Sequence, residues 1–172
     1  YSKGLIDKST LIRERFRMPF IKFDTMSNDT ADEMNNDFFR RIVTKTGLID
    51  GAVDLLEYLK PNYKMHIISN GFSELQDRKI NGSGLGGYFD KVILSDMIGI
   101  NKPDRRIFEH LIEQAGVDAE EVIMIGDNLK TDIGGAMNAG IEQIWFNPDN
   151  ENSGDIKPTY IVKRLEEIKS IL

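Results

Sequence analysis

The run Val122-Ile123-Met124-Ile125-Gly126-Asp127-Asn128-Leu129-Lys130-Thr131-Asp132 places two carboxylates where an apolar stretch gives way to a polar turn. Five uncharged residues precede Asp127, so a buried strand is expected to end there. A carboxylate left unpaired in such a place is costly, which points to a cation as its partner. Magnesium suits this all-oxygen set, because it is commonly held by one or two carboxylates plus substrate phosphate and water. Upstream, in fixed order, come Ser69-Asn70-Gly71 after the apolar pair Ile67-Ile68, and Lys102 before Pro103. Together these residues offer a hydroxyl, backbone N–H groups, a positioned ammonium and two acids, the groups that can hold a phosphoryl group and offset its charge.

Taken singly, each has an ordinary explanation. Ser, Asn and Gly are common turn residues, a lone lysine usually sits in solvent, and an aspartate near a helix N-terminus is favoured by about 0.3 to 1 kcal/mol. Convergence is the signal: each set follows an expected strand, and in open α/β sheets ligands bind beyond the carboxyl ends of the strands. Pro103 biases Lys102 toward an extended backbone and is expected to open the next helix, fixing the direction of the lysine. Gly134-Gly135, inside the helix that follows Asp132, is expected to mark the close approach of another backbone. His66 and His110 have no acidic or cysteine partner at ligand spacing and are assigned to packing or surface. Arg13, Arg15 and Arg17 are candidate lid contacts, with the solvated face of a charged helix as the favoured reading.

The elements that must position these residues follow from periodicity. A short charged helix is expected around Ser9 to Arg17. A second should open at the capping box Thr30-x-x-Glu33, with Ala31, Met34, Phe38 and Ile42 as its apolar stripe. Residues 1–46 are read as part of a helical cap. From Asp50 onward helices and strands alternate: a helix over 51–60 ending at Pro61, a strand over 64–69, a helix capped by Ser73-x-x-Gln76, and a glycine-rich turn over 82–87. A strand over 91–95, a helix over 104–115, a strand over 122–125 and a helix over 129–138 come next. Strands over 142–146 and 160–162 and a terminal helix complete the chain. Apolar strands alternating with helices of about ten residues indicate an α/β fold with a doubly wound parallel sheet covered on both faces.

With 172 residues there is room for one full core but no second large domain. The 22 Lys and Arg stand against 28 Asp and Glu, for a net charge of -6, and no basic block marks a nucleic-acid or lipid surface. Zero cysteines exclude disulfides and thiolate metal sites, no apolar run reaches a membrane span, and a cytoplasmic location is the expectation.

The ordered set Ser69-Asn70-Gly71, Lys102-Pro103 and Gly126-Asp127-Asn128-x-x-x-Asp132 resembles motifs two, three and four of the haloacid dehalogenase superfamily. The longer strings from Ser69 to Gln76 and from Lys102 to Phe108 are similar to its pyrimidine 5'-nucleotidase group. The resemblance implies a magnesium-dependent phosphatase acting through an aspartyl-phosphate on a small phosphomonoester such as a nucleoside 5'-monophosphate. It also implies roles. Ser69 contacts the transferring phosphoryl, with Asn70 and Gly71 lining the pocket. Lys102 supplies positive charge, Asp127 ligates magnesium, and Asp132 supports the metal site or orients Lys102.

One part is missing from the pattern. The family opens on a strand ending in Asp-x-Asp, which supplies the nucleophile, and neither Asp7 nor Asp24 has that setting. By resemblance the absent strand belongs at the sheet centre, between the strands of Ser69 and Asp127. Residues 47–172 are therefore read as a core lacking its central strand, inactive by itself, with an upstream segment or another chain expected to fill the slot. The alternative is a non-catalytic phosphate- or nucleotide-binding regulatory domain. A receiver domain places its acids before the hydroxyl and lysine, the reverse of the order here, and dehalogenation suits the acids Asp127 and Asp132 less well than phosphoryl transfer.

Overall fold

The computed structural model describes residues 5–20 and 27–172, so Asp24 lies outside the described residues. Two helices come first, α1 (Lys8–Glu14) and α2 (Asn28–Ile42). The rest of the chain alternates: α3 (Ala52–Leu59), β1 (Met65–Ser69), α4 (Ser73–Gly82), β2 (Phe89–Leu94), α5 (Ser95–Ile98), α6 (Arg105–Ala115), β3 (Ile123–Gly126), α7 (Gly134–Asn138), β4 (Glu142–Phe146) and β5 (Tyr160–Val162). A 3-10 segment, Leu165–Ser170, stands where a terminal helix was expected.

All strand pairings are parallel. They form two sheets, β1–β2 and β3–β4–β5, and among the described residues no strand lies between β1 and β3. Two apolar layers nevertheless run across both sheets. Ile68 of β1 and Met124 of β3 pack on one side with Ile107, Phe108 and Leu111 of α6 and Ala136 of α7. Met65 of β1 and Ile123 and Ile125 of β3 pack on the other side with Leu55 and Leu59 of α3 and Ile168. The even and odd positions of β3 thus face opposite layers, as the two-residue period of a strand requires. Burying a side chain such as Phe108 or Ile107 in this way stabilises the fold by about 1.5 to 3 kcal/mol.

Helix boundaries follow from local chemistry, with three departures from expectation. The cap of α2 is Ser27, whose hydroxyl accepts from the Thr30 N–H, so the expected cap at Thr30 lies three residues too far along. No side chain of its own caps α4 at Phe72, the residue before Ser73. Asp104, not Pro103, opens α6: its carboxylate accepts from the Arg106 N–H. Aromatic rings pack around α2: Phe16, just after α1, lies 5.9 Å from Phe38, and Phe39 lies 6.5 Å from Phe72 at the start of α4, between centroids. Arg15 lies 5.0 Å over the ring of Phe38 and 5.3 Å over that of Phe39, so it packs against α2 and is not part of a purely solvated face. Among the described residues no helix is long and apolar enough to cross a membrane.

Candidate active site

Ser69 is the last residue of β1, and the turn Asn70-Gly71 leads into α4. Its Oγ accepts from the Gly71 N–H at 3.0 Å and from Gln76 Nε2 at 2.9 Å. A serine hydroxyl has two acceptor lone pairs and one donor, so these contacts occupy the lone pairs and leave the O–H to point elsewhere. Gln76 was not singled out as a site residue. The signal available was its place one helical turn after the Ser-Asn-Gly set.

Lys102 is buried, 8% exposed, against the usual solvent position of a lone lysine. Its ammonium donates to the Ile68 carbonyl of β1 at 2.8 Å and forms an ion pair with Asp132 Oδ1 at 2.7 Å. The ammonium therefore links the carboxyl end of β1 to the loop after β3. Its backbone is fixed as well: Asn70 Nδ2 donates to the Lys102 carbonyl at 2.9 Å, and the Lys102 N–H donates to Asn70 Oδ1 at 2.8 Å. Asn70 thus holds the lysine loop, a role that sequence alone does not reveal. The Lys102–Pro103 peptide is cis.

After β3 the chain makes a π-helical turn over Leu129–Ile133 before α7, where one α-helix was expected. Asn128 caps this turn, its side chain accepting from the N–H groups of Lys130 and Thr131. The turn brings Asp132 back against β3, buried at 5% exposure, with Oδ2 accepting from the Asn128 N–H at 3.1 Å. A Cβ at Gly126 would fall 2.5 Å from the Cβ of Asp132, so glycine is what lets the carboxylate approach. At Gly135 a Cβ would come within 2.7 Å of Phe108 and 3.0 Å of the Pro103 backbone, in line with the close approach expected of the Gly134-Gly135 pair.

Asp127 departs from its expected setting. Its side chain is exposed, because β3 ends at Gly126 and the next residue projects past the buried layer. Burial therefore does not force a cation on it. Its carboxylate has no hydrogen bond or ion pair to the described residues, while its backbone carbonyl accepts from the Trp145 indole N–H at 3.0 Å. Among the described residues no three His, Cys, Asp or Glu side chains gather as a metal cluster. An exposed, uncommitted carboxylate beside an anion site does fit magnesium bound mainly through substrate phosphate and water.

The remaining acids and histidines have other work. Asp7 caps α1, accepting from the Thr10 N–H at 2.7 Å and Ser9 Oγ at 2.8 Å, and that backbone hydrogen bond holds its carboxyl below the usual range. His66 is half-buried in β1, where desolvation pushes its imidazole down, and His110 lies half-buried on α6. A groove of about 940 Å³ runs between α1, α2 and α4, lined by Lys8, Phe39, Arg40, Phe72, Glu74 and Arg78 among others. Ser69, Lys102 and Asp127 do not line it, but Phe72 joins it to the Ser69 turn.

Parallel strands with helices on both faces, and a hydroxyl, a buried lysine and two acids at one rim, define an α/β domain of the kind that binds ligands at its carboxyl edge. Residues 7–140 match the haloacid dehalogenase-like hydrolases, and the chain belongs to that family. It is 34% identical over 174 residues to the pyrimidine 5'-nucleotidase YjjG of Escherichia coli, covering 100% of this chain and 76% of that protein. It is 33% identical over 170 residues to the pyrimidine 5'-nucleotidase PynA of Streptococcus pneumoniae, covering 97% of this chain and 71% of that protein. Among solved structures, YfnB of Bacillus subtilis bound to magnesium superposes with a TM-score of 0.91 at 29% identity, over 100% of this chain and 75% of that one.

Proposed function

We propose that this chain forms the phosphate- and magnesium-binding part of a phosphomonoester hydrolase whose substrate is a nucleoside 5'-monophosphate. One observation carries the reading: at the same rim Ser69 and Lys102 are each held by the protein so that a donor is left unused. The Ser69 lone pairs are taken by Gly71 and Gln76, which leaves its O–H. Two of the three ammonium hydrogens of Lys102 go to Ile68 and Asp132, which leaves one. Both donors can meet oxygens of one phosphoryl group, and the buried setting strengthens such contacts. Asn70 and Gly71 complete the pocket, the first by fixing the lysine loop and the second through its place in the turn.

Magnesium would be held by Asp127, with Asp132 supporting the site through the Asn128 N–H and through Lys102. When bound it would neutralise charge on the phosphoryl oxygens. The attacking carboxylate would come from further polypeptide forming a strand between β1 and β3, whose apolar layers already extend across that position. That carboxylate forms a bond to phosphorus as the ester P–O bond breaks and the leaving oxygen takes a proton. Water then hydrolyses the acyl phosphate in a second step. The nucleotide as substrate class rests on the two relatives named pyrimidine 5'-nucleotidases.

The test is phosphate release from nucleoside monophosphates, with and without magnesium, by this chain alone and by this chain joined to an upstream segment carrying Asp-x-Asp. Release only from the joined protein, only with magnesium, and lost in Lys102→Ala supports the proposal. Phosphate or nucleotide binding without turnover in the joined protein would replace it with the regulatory reading.

A further inference from the structure

Asp96 lies just past the end of β2 and takes no part in the chemistry above, yet its side chain is 8% exposed. One oxygen does several things. Asp96 Oδ2 accepts from the Ser73 N–H at 3.0 Å, from Ser73 Oγ at 3.1 Å and from Lys8 Nζ at 3.1 Å. Its other oxygen is buried and has no hydrogen-bond partner among the described residues. Lys8 belongs to α1. It also holds Glu74 at 2.8 and 3.1 Å and stands 4.7 Å over the ring of Phe72.

These contacts matter because of where Ser73 lies. It is the first residue of α4, the helix that lacks a side-chain cap of its own, and Asp96 supplies the missing acceptor from a different element. Three residues on, Gln76 of the same helix donates to Ser69 Oγ. The carboxylate that ties the start of α4 to α5 thus also holds Lys8 of the cap helix, beside the Lys8 contact to Glu74 of α4. Desolvation pushes the Asp96 carboxyl up, but the hydrogen bonds from Ser73 and Lys8 outweigh it and keep the group below its ordinary value, so it is charged at neutral pH.

We propose that Asp96 is a positioning residue that couples the cap helix α1 to the phosphate-binding turn, so that the seat of α1 and the aim of the Ser69 hydroxyl are set together. The coupling rests on the phosphate-binding role of Ser69 given above. Through it, a displacement of α1 loosens the Lys8 contact, then the first turn of α4, then the Gln76 contact to Ser69. Lys8 also lines the groove between cap and α4, which places the junction where an occupant of that groove would press on it.

Two measurements test this: hydrogen–deuterium exchange without ligand, and titration with inorganic phosphate in the presence of magnesium. Asp96→Asn keeps the shape but removes the charge. It is expected to speed exchange in α1 and at residues 73–76 and to weaken phosphate binding about tenfold, the scale of one charge-assisted hydrogen bond. Lys8→Met leaves the Ser73 contact to Asp96 in place, and its folding is checked by the same exchange experiment in β3 and β4, far from α1. It should act in the same direction, the double variant should lose less than the sum of the two single effects because only the Lys8–Asp96 contact is common to both while the Glu74 and Phe72 contacts belong to Lys8 alone, and Lys8→Arg should restore both readouts. The coupling is refuted if Asp96→Asn leaves α1 exchange and phosphate affinity at wild-type values, or if the two single effects simply add. A wild-type chain that binds no phosphate would sink the functional proposal instead, since the exchange experiment is read without ligand.

Discussion

Lys102 and Asp132 show how far residue types alone carry an argument. Both were legible as members of one ordered set, but their contact was suggested only by the family resemblance, as one of two roles for Asp132, because nothing local in the sequence says which acid a lysine 30 positions away will meet. The pair is buried, so removing one partner leaves an uncompensated charge. Lys102→Ala is expected to destabilise the fold by about 3 to 5 kcal/mol in urea denaturation. Lys102→Met with Asp132→Leu should recover much of that stability while phosphate affinity stays lost, which separates the structural use of the pair from the functional one. At Gly126 the added methyl of Gly126→Ala meets Asp132, and a loss of about 1 to 3 kcal/mol is expected by the same measurement. The burial expected of Asp127 fails for a physical reason: an apolar run tells that a strand is buried, but not whether the residue just beyond its end is still inside. The Ile68 carbonyl that holds Lys102 could not have been found at all, since a backbone oxygen has no identity in sequence.

Helix α6 shows which parts of an element can be read locally. It covers the expected span, with Asp104 as its cap in place of Pro103 and Gly116 at its end, and Ile107, Phe108 and Leu111 form its buried face. The Arg106 side chain, followed by its backbone N–H, lowers the Asp104 carboxyl from 3.8 to about 2. A carboxyl depressed by folding adds stability above its unfolded value, and that contribution is lost as pH falls through the folded one. Asp104→Ala should therefore cost about 0.5 to 2 kcal/mol at neutral pH. The gap between variant and wild type should narrow as chemical denaturation is repeated from pH 3.8 down toward 2. Helix α4 is the contrasting case. Ser73-x-x-Gln76 resembles a local capping box, but the cap comes from Asp96, and Gln76 turns to Ser69. A helix whose start is held by a distant element gives no sign of that arrangement in its own residues.

Across the whole molecule, the alternation of helices and strands made the parallel α/β class legible, whereas the faces of β3 are seen only in the structure, since an uninterrupted apolar run gives no alternation to read. The division into two sheets was foreseen only through the family pattern, because alternation says which faces are apolar and not which edges meet. If a strand does seat between β1 and β3, amide exchange in both should slow by orders of magnitude when the upstream segment is joined, while β4 and β5 change little. Unchanged exchange in β1 and β3 would place that segment elsewhere. The chain has a single tryptophan, Trp145, 1% exposed, with its indole N–H on the carbonyl of Asp127. The molecule therefore carries a built-in optical probe: ultraviolet emission from one indole should change in intensity or wavelength as magnesium is titrated, and Asp127→Ala should leave that spectrum flat.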